Sequence, residues 1–149
     1  MVGMSQERFS FLELPGEGGS QRPPEYLSLQ EIPDRQYLNY LDLLALKPAP
    51  ALLKRVSRRL IDKHRFIPLL AQPLTLPPRL PGHLDPQYHL RWRHNQGTQL
   101  CYIALVPPKQ NLVLQLIHNA VGHGLYALPI REETFARFMD EKYEQLKQA

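Results

Sequence analysis

Fifteen prolines are spread over the 149 residues of this chain, and they limit the length of every element that it can form. Proline has no amide hydrogen and a fixed φ angle, so it ends helices and central strands. The number is about twice the share of proline in an average protein. Residues 68–86 alone contain six prolines and are predicted to form a loop. The chain is therefore expected to fold from short helices and strands joined by many turns.

The length of the chain suits one domain, because two ordinary domains with separate cores need more residues. Residues 1–26 are rich in Gly, Pro, Ser, Gln and Glu, and we predict that they form a flexible arm. Residues 27–149 contain the apolar residues of a core and are predicted to form a single α+β domain. No apolar run approaches the ~20 residues that cross a bilayer, and the first residues lack the apolar stretch of a signal peptide. We therefore expect a cytoplasmic protein.

Four segments have the length and composition of strands, and they predict a small mixed sheet. They are residues 65–70, 88–94, 99–106 and 125–130. Residues 99–106 carry no charge, so we place this strand at the centre of the sheet with both faces covered. A turn-forming Asn-Gln-Gly-Thr sequence precedes it, so residues 88–106 are predicted to form an antiparallel hairpin. Pro68 indicates that the first strand lies at an edge or contains a bulge.

Three to four helices are predicted to cover this sheet. A first helix is expected before Leu46, after a short extended piece, and a second over residues 51–64. Residues 110–121 have apolar side chains at helical spacing, and glycines follow them as a stop signal. The last helix starts at Glu132, and its packing stripe consists of Phe135, Phe138, Met139, Tyr143 and Leu146. For the helix over residues 110–121, the stripe consists of Leu112, Val113, Leu116, Ile117, Ala120 and Val121.

The sequence contains none of three common catalytic or nucleotide-binding motifs. It lacks the G-x-x-x-x-G-K-[ST] phosphate loop, the G-x-S-x-G nucleophile elbow and the H-E-x-x-H zinc pair. Cys101 is the only cysteine and falls in the predicted central strand, which favours a buried, inert thiol over a nucleophile. The histidines are interpreted as solvated side chains, because no two are four residues apart on one helix. We therefore predict no catalytic residue, no metal and no cofactor.

The net charge of +4 is unevenly distributed along the chain. Residues 1–46 carry 3 basic and 7 acidic side chains, residues 47–131 carry 12 and 2, and residues 132–149 carry 3 and 5. Such a basic middle indicates either a docking face for an acidic partner or charge compensation within the fold. Four cations of the second predicted helix lie within about 140° of helical arc and form the candidate docking face. These are Lys54, Arg55, Arg58 and Arg59.

Two other interpretations of the basic residues stay open. Arg91, Trp92 and Arg93 are candidates for contacts to phosphate and for stacking on a base, as in a nucleic-acid or nucleotide site. The competing interpretation is a solvated helix face together with a core tryptophan, and we favour it over nucleic acid. In the strand over residues 88–94, alternation places Trp92 on the buried face and His89 and Arg91 on the solvent face.

From residue 50 to residue 144, the order of elements and several phrases resemble the amino-terminal domain of the ATPases of type II secretion and type IV pilus assembly. The family's basic helix end followed by R-x-x-P-L is matched by LIDKHRFIPL at residues 60–69. Its V-A-x-A-D-P strand is matched by YIALVP at residues 102–107, where Val106 replaces the usual Asp. Its last helix-strand-helix part is matched by LVLQLIHNAVGHGLYALPIREETFARFMDEKYE. The 149 residues contain no ATPase domain.

The resemblance implies a non-enzymatic regulatory or protein-docking domain of a bacterial secretion, pilus or envelope-assembly system. Its partner would be a cytoplasmic component of that machine. Some relatives bind cyclic di-GMP through R-L-G-x-x-L-type motifs, and the corresponding sequence here, RFSFLELPGEGGSQ, has no such motif. Because some relatives bind this ligand, a cyclic di-GMP sensor is the first alternative function, and a nucleic-acid-binding protein is the second.

Overall fold

A computed structural model of the chain describes residues 32–75, 80–92, 98–107 and 110–148. The predicted flexible arm at residues 1–26 and the candidate phosphate ligand Arg93 lie outside these residues. The strands of the sheet are β1 (Phe66–Pro73), β2 (Leu90–Trp92), β3 (Gln99–Leu105) and β4 (Gly124–Pro129). The helices are α1 (Tyr40–Ala45), α2 (Pro50–Arg55), α3 (Arg58–His64), α4 (Asn111–Val121), α5 (Glu132–Glu141) and α6 (Tyr143–Lys147).

The four strands form one mixed sheet in the order β1-β3-β4-β2, so the predicted α+β class is confirmed. Strand β3 runs antiparallel to β1 and parallel to β4, and β4 runs antiparallel to β2. Helix α4 makes the crossover between the two parallel strands. The central position of β3 is confirmed, and residues 100–105 are all buried. A strand without charged residues needs neighbours on both edges and cover on both faces, and β3 has them.

The predicted hairpin over residues 88–106 is wrong, because β2 pairs with β4 instead of with β3. Two strands, β2 and β4, compete for the edge of β3 that β1 leaves open. Every residue of β4 is buried, whereas β2 has three residues and includes the exposed Arg91. Pairing β3 with β4 places both apolar strands inside the sheet and leaves the half-exposed β2 at the edge. The turn-forming sequence predicted between β2 and β3 did not decide their pairing.

Strand β1 lies at the other edge of the sheet and has an irregular register between Pro68 and Leu70. Both features predicted from Pro68 are therefore confirmed. The strand is longer than the predicted one, because Ala71, Gln72 and Pro73 also pair with β3. This pairing shortens the loop that the prolines of residues 68–86 indicated. A proline at an edge strand removes one amide donor at a place where the sheet tolerates the loss.

The single helix predicted over residues 51–64 is wrong, because the chain forms two helices with a corner between them. Val56 has extended backbone angles, with φ −100° and ψ 129°, and its side chain is buried. The side chain of Ser57 then accepts a hydrogen bond from the amide of Leu60, at 3.1 Å. Serine in this position satisfies one of the amides that have no partner at a helix start. Capping by Ser57 thus begins α3 at Arg58.

Removal of this cap should destabilise the domain without changing its fold. We expect Ser57→Ala to lower the free energy of unfolding by about 1 kcal/mol, the usual cost of losing a serine N-cap. Chemical denaturation of both proteins measures the difference. Ser57→Asp is the control, because an aspartate accepts the same amide hydrogen bond and should retain most of the stability. Equal stability of wild type and Ser57→Ala would show that the hydroxyl does not hold the corner.

The remaining helices differ from the predictions mainly at their ends. Helix α4 is confirmed, and it ends at Gly122, whose positive φ of 80° suits glycine. The last predicted helix is interrupted at Lys142, which separates α5 from α6. Phe135, Phe138, Met139 and Tyr143 of its predicted packing stripe are nevertheless buried. Among the residues described, no helix has the length and apolar character to cross a membrane.

Candidate functional site

The four cations of the predicted docking face lie where α2 meets α3, and we call Lys54, Arg55, Arg58 and Arg59 the α2–α3 corner. The first two are the last residues of α2, and the other two are the first residues of α3. All four side chains are exposed. They do not share the predicted arc of one helix, because the break at Val56 separates them. Buried Leu53 and Val56 anchor the corner to the core.

Arg55 extends the corner to the end of α4. Its Nη1 atom donates a hydrogen bond to the carbonyl oxygen of Val121, at 2.9 Å. The carbonyl groups in the last turn of a helix have no partner within the helix and carry partial negative charge. The guanidinium therefore satisfies one of them and is held in place by a group 66 residues away in sequence. The same atom lies 3.7 Å from the position of a Cβ on Gly122.

His123 follows the end of α4 and lies near Arg55. Burial lowers its pKa, and the positive charge of Arg55 and the neighbouring His118 lower it further. His118 itself bonds through Nδ1 to the carbonyl oxygen of His123, at 2.8 Å. Removal from water thus disfavours a proton on His123, and nearby positive charge adds to the effect. His123 therefore borders the corner without adding a fifth cation to it.

Arg58 has a different environment from Arg55. Its Nη1 atom lies 2.8 Å from the carboxylate of Glu144, and its Nε atom lies 3.4 Å from the carboxylate of Asp62. Its guanidinium also lies 5.3 Å from the ring centre of Tyr143. The charged groups are about half exposed, so each pair contributes on the order of 0–1 kcal/mol. Arg58 therefore ties α3 to α6, and acidic groups lie among the cations of the corner.

Ion pairs between the basic middle of the chain and its acidic ends are a general feature of the fold. Arg65 lies 3.4 Å from Glu132, and Arg131 contacts Asp34. Together with the contact of Arg58, these pairs join residues 47–131 to both flanking segments. Charge compensation within the fold, one of the two interpretations of the charge distribution, is therefore present. It accounts for some of the basic residues of the chain, and Arg59 and Lys54 are exposed members of the corner.

Arg91 and Trp92 do not form one site. Arg91 pairs with Tyr126 and Trp92 with Leu125 on the adjacent strand, and successive residues of a strand point to opposite faces. The guanidinium of Arg91 lies 5.5 Å from the ring centre of Tyr126. Trp92 is partly buried and packs against the hydrophobic core. This placement agrees with the interpretation of Trp92 as a core residue.

His89 is the buried polar residue that the sequence analysis placed wrongly. Its side chain is 3% exposed, and Nδ1 lies 2.8 Å from the hydroxyl of Tyr126. The ring of Tyr126 in turn lies 4.9 Å from that of Tyr102. The alternation of side chains correctly puts His89 on the same face of the sheet as Arg91. At His89, however, this face is buried by contact with Tyr126. No local signal could have revealed the contact, because Tyr126 is 37 residues away.

Two side chains of this cluster, His89 and Tyr102, have strongly shifted pKa values. Burial lowers the pKa of His89 to about 4, with a further decrease from Arg91 and an opposing effect of Asp85. Burial also raises the pKa of Tyr102 to about 12. Each shift favours the neutral form, as expected for polar groups removed from water. His89 and Tyr126 therefore form a neutral hydrogen-bonded pair at neutral pH.

The thiol of Cys101 is buried, as predicted. Its side chain is fully enclosed, and burial raises its pKa to about 12. A thiol with this pKa is protonated at neutral pH and is a poor nucleophile. Within the described residues, no group of three or more His, Cys, Asp or Glu side chains could hold a metal ion.

Fold and surface together define an α+β domain with an exposed basic corner built on two short helices. Comparison with known proteins adds no relative: no protein-family model, no curated protein and no solved structure matches this chain.

Proposed function

We propose that this chain is a non-enzymatic docking domain that binds an acidic surface of a protein partner through the α2–α3 corner. The observation that carries the proposal is the arrangement of its cations. Four exposed basic side chains fall within six consecutive residues, on helices that bury Leu52, Leu53 and Ile61 in the core. A rigid cationic surface of this kind attracts an acidic partner and orients it before contact.

The contacts of the corner favour a protein partner over nucleic acid. A phosphate backbone presents only negative charge, so carboxylates placed among the cations weaken its attraction to the surface. Here Asp62 and Glu144 lie directly beside Arg58. A protein surface with charges of both signs can match such a mixed pattern, because basic groups of the partner can meet the two carboxylates. Arg91 and Trp92, the described members of the candidate phosphate and stacking set, point to opposite faces of the sheet, which also argues against a joint contact to a base and its phosphate.

The proposed partner is a cytoplasmic component of a bacterial secretion, pilus or envelope-assembly machine. This part of the proposal rests on the resemblance to the amino-terminal domain of the secretion and pilus assembly ATPases. The resemblance begins at residue 50, the start of α2, and continues into α6. The corner therefore lies within the part of the chain that carries the resemblance. In this proposal the domain regulates the machine by binding to it and catalyses no reaction.

Charge reversal at the corner should weaken partner binding. Arg59→Glu is the preferred variant, because Arg55 and Arg58 also contact Val121 and Glu144 and their replacement would change the fold locally. We expect about tenfold weaker association, chiefly through a slower on-rate, and a smaller dependence on salt. Affinity capture from the source cell, followed by binding kinetics with the captured protein, measures both effects. Arg35→Glu is the control, with the same charge change at an exposed position elsewhere.

The outcomes of this experiment separate the candidate functions. A partner that binds the wild type and the control alike, but binds the corner variant about tenfold less, supports the proposal. Equal binding by all three proteins would remove the corner from the docking surface. DNA or RNA recovered only with the wild type would indicate that the corner binds nucleic acid instead of a protein. Calorimetry with cyclic di-GMP completes the test, because submicromolar binding would support the sensor instead.

A further inference from the structure

The outer face of α4 exposes two leucines that the sequence analysis placed in a packing stripe. Leu112 is 71% exposed and Leu116 is 42% exposed, one helical turn apart. Leu114, Ile117 and Val121 fill the buried side of the helix, so the predicted stripe is wrong at the two leucines. The six apolar residues of that stripe span more of the helix circumference than the sheet can cover. An apolar surface strip consequently remains on the longest helix described.

This strip lies on a helix without charge. The eleven residues of α4, NLVLQLIHNAV, include none of the 18 Lys and Arg or 14 Asp and Glu of the chain. The polar side chains on its outer face are neutral, and Gln115 donates a hydrogen bond to Asn119 at 2.9 Å. Charged residues are depleted in the centre of protein interfaces, whereas exposed helix faces usually carry them. The composition of α4 is therefore typical of a surface that another protein covers.

The spacing of the strip makes it complementary to itself. Leu112, Leu116 and the partly buried Ala120 follow one another at intervals of four residues, with a small side chain at one end and a large one at the other. If two such helices pack antiparallel about a two-fold axis at Leu116, each Leu112 faces the Ala120 of the second copy. Large side chains then meet small ones at both ends, and the two Leu116 side chains meet at the axis.

We propose that α4 is a self-association surface, on which a second copy of this chain packs antiparallel about Leu116. Charge favours this occupant over an acidic partner. The chain has a net charge of +4, so two copies repel each other at most surfaces, but the eleven residues of α4 include no Lys or Arg that would oppose the contact. An uncharged face also offers nothing that would attract an acidic protein. The inference goes beyond the proposed function, which concerns the α2–α3 corner.

The size of the strip predicts a weak dimer. A helix of eleven residues is about 16 Å long, and one pair of such helices buries less than the ~1,600 Å² of a standard interface. We therefore expect dissociation constants on the order of 10–100 μM, with association visible only in concentrated solution.

Sedimentation velocity on the full chain over a concentration series tests the proposal. We expect the wild type to shift from monomer to dimer, and Leu116→Lys to remain monomeric because it places two like charges at the axis. Leu41→Lys is the matched control, since Leu41 on α1 is 76% exposed and should leave association unchanged. A wild type that stays monomeric up to ~1 mM overturns the proposal. Association that Leu41→Lys abolishes and Leu116→Lys leaves intact overturns it as well.

Engineered cysteines test the antiparallel register. Because Cys101 is fully buried, a single new surface thiol reports on the interface alone. With diamide as the oxidant, Leu116→Cys should form a disulfide-linked dimer rapidly, since the two thiols meet at the axis. Leu112→Cys should link at least about tenfold more slowly, because its counterpart in the second copy lies at the far end of the strip. Equal rates for the two variants would overturn the antiparallel arrangement. Leu41→Cys serves as the background for random collisions.

Discussion

Ile103→Asp will leave this chain without a stable fold. Ile103 has no exposed surface and lies in β3, where Pro68 of β1 and Ala127 of β4 are its neighbours. An unpaired carboxylate in such a place costs several kcal/mol, and the group can avoid that cost only by remaining protonated or by unfolding the strand. Domains of this size have a total stability of about 5–15 kcal/mol. We therefore expect insoluble protein, or soluble protein without a cooperative thermal transition.

Two control variants separate the buried charge from other effects of the substitution. Ile103→Val removes one methylene from the same position and should cost only about 0.5–1.5 kcal/mol. Leu41→Asp introduces the same carboxylate at an exposed leucine and should leave the melting temperature nearly unchanged. Circular dichroism during heating measures all three proteins. A soluble Ile103→Asp protein that melts like the wild type would contradict the central position of β3.

Local sequence patterns were sufficient for the elements that depend on local chemistry. The absence of charge in β3 predicted its burial, and Gly122 predicted the end of α4. Ser57 could have predicted the break between α2 and α3, since serine is a preferred N-cap. The continuous amphipathic pattern across residues 51–64 outweighed it. A pattern that repeats every 3.6 residues cannot by itself reveal that one residue leaves the helix.

Strand pairing could not be predicted from the turn-forming sequence between β2 and β3. Pairing is a competition among all strands for the available edges, and its outcome depends on how much apolar surface each arrangement buries. Strand β4 pairs with β3, although a helix of eleven residues separates the two strands in the sequence. The turn sequence at residues 95–98 contains information only on the local path of the chain. Contacts between distant residues, such as that of His89 with Tyr126, are subject to the same limit.

The residues of the candidate site could be predicted from the sequence, but their contacts could not. The sequence analysis identified the four basic side chains of the α2–α3 corner, because their charges are adjacent in the chain. It could not anticipate that Arg55 binds the carbonyl of Val121 or that Arg58 contacts Glu144. These contacts change the choice of test variants. They also show that one basic cluster joins elements of the fold while its side chains remain exposed.

The burial of His89 makes the stability of the domain depend on pH in the acidic range. In the unfolded chain a histidine has a pKa of about 6.5, whereas the pKa of His89 in the fold is about 4. Between these values the unfolded chain binds a proton at this residue and the folded chain does not. Stability is therefore fully present above pH 6.5 and decreases as the pH falls toward 4. Below pH 4 His89 is protonated in both the folded and the unfolded chain, and its contribution to stability no longer changes with pH.

The size of this effect follows from the difference between the two pKa values, which corresponds to about 3 kcal/mol. His89→Gln removes the titrating group and keeps a side chain that can bond to the hydroxyl of Tyr126. We expect its free energy of unfolding, measured with urea at several pH values, to decrease less than that of the wild type between pH 6.5 and 4. The difference between the two curves should change by about 3 kcal/mol over this interval. His83→Gln, a substitution at an exposed histidine, controls for the loss of a histidine as such and should follow the wild-type curve. Parallel curves for His89→Gln and the wild type would contradict a neutral buried His89, because the fold would then bind its proton as readily as the unfolded chain does.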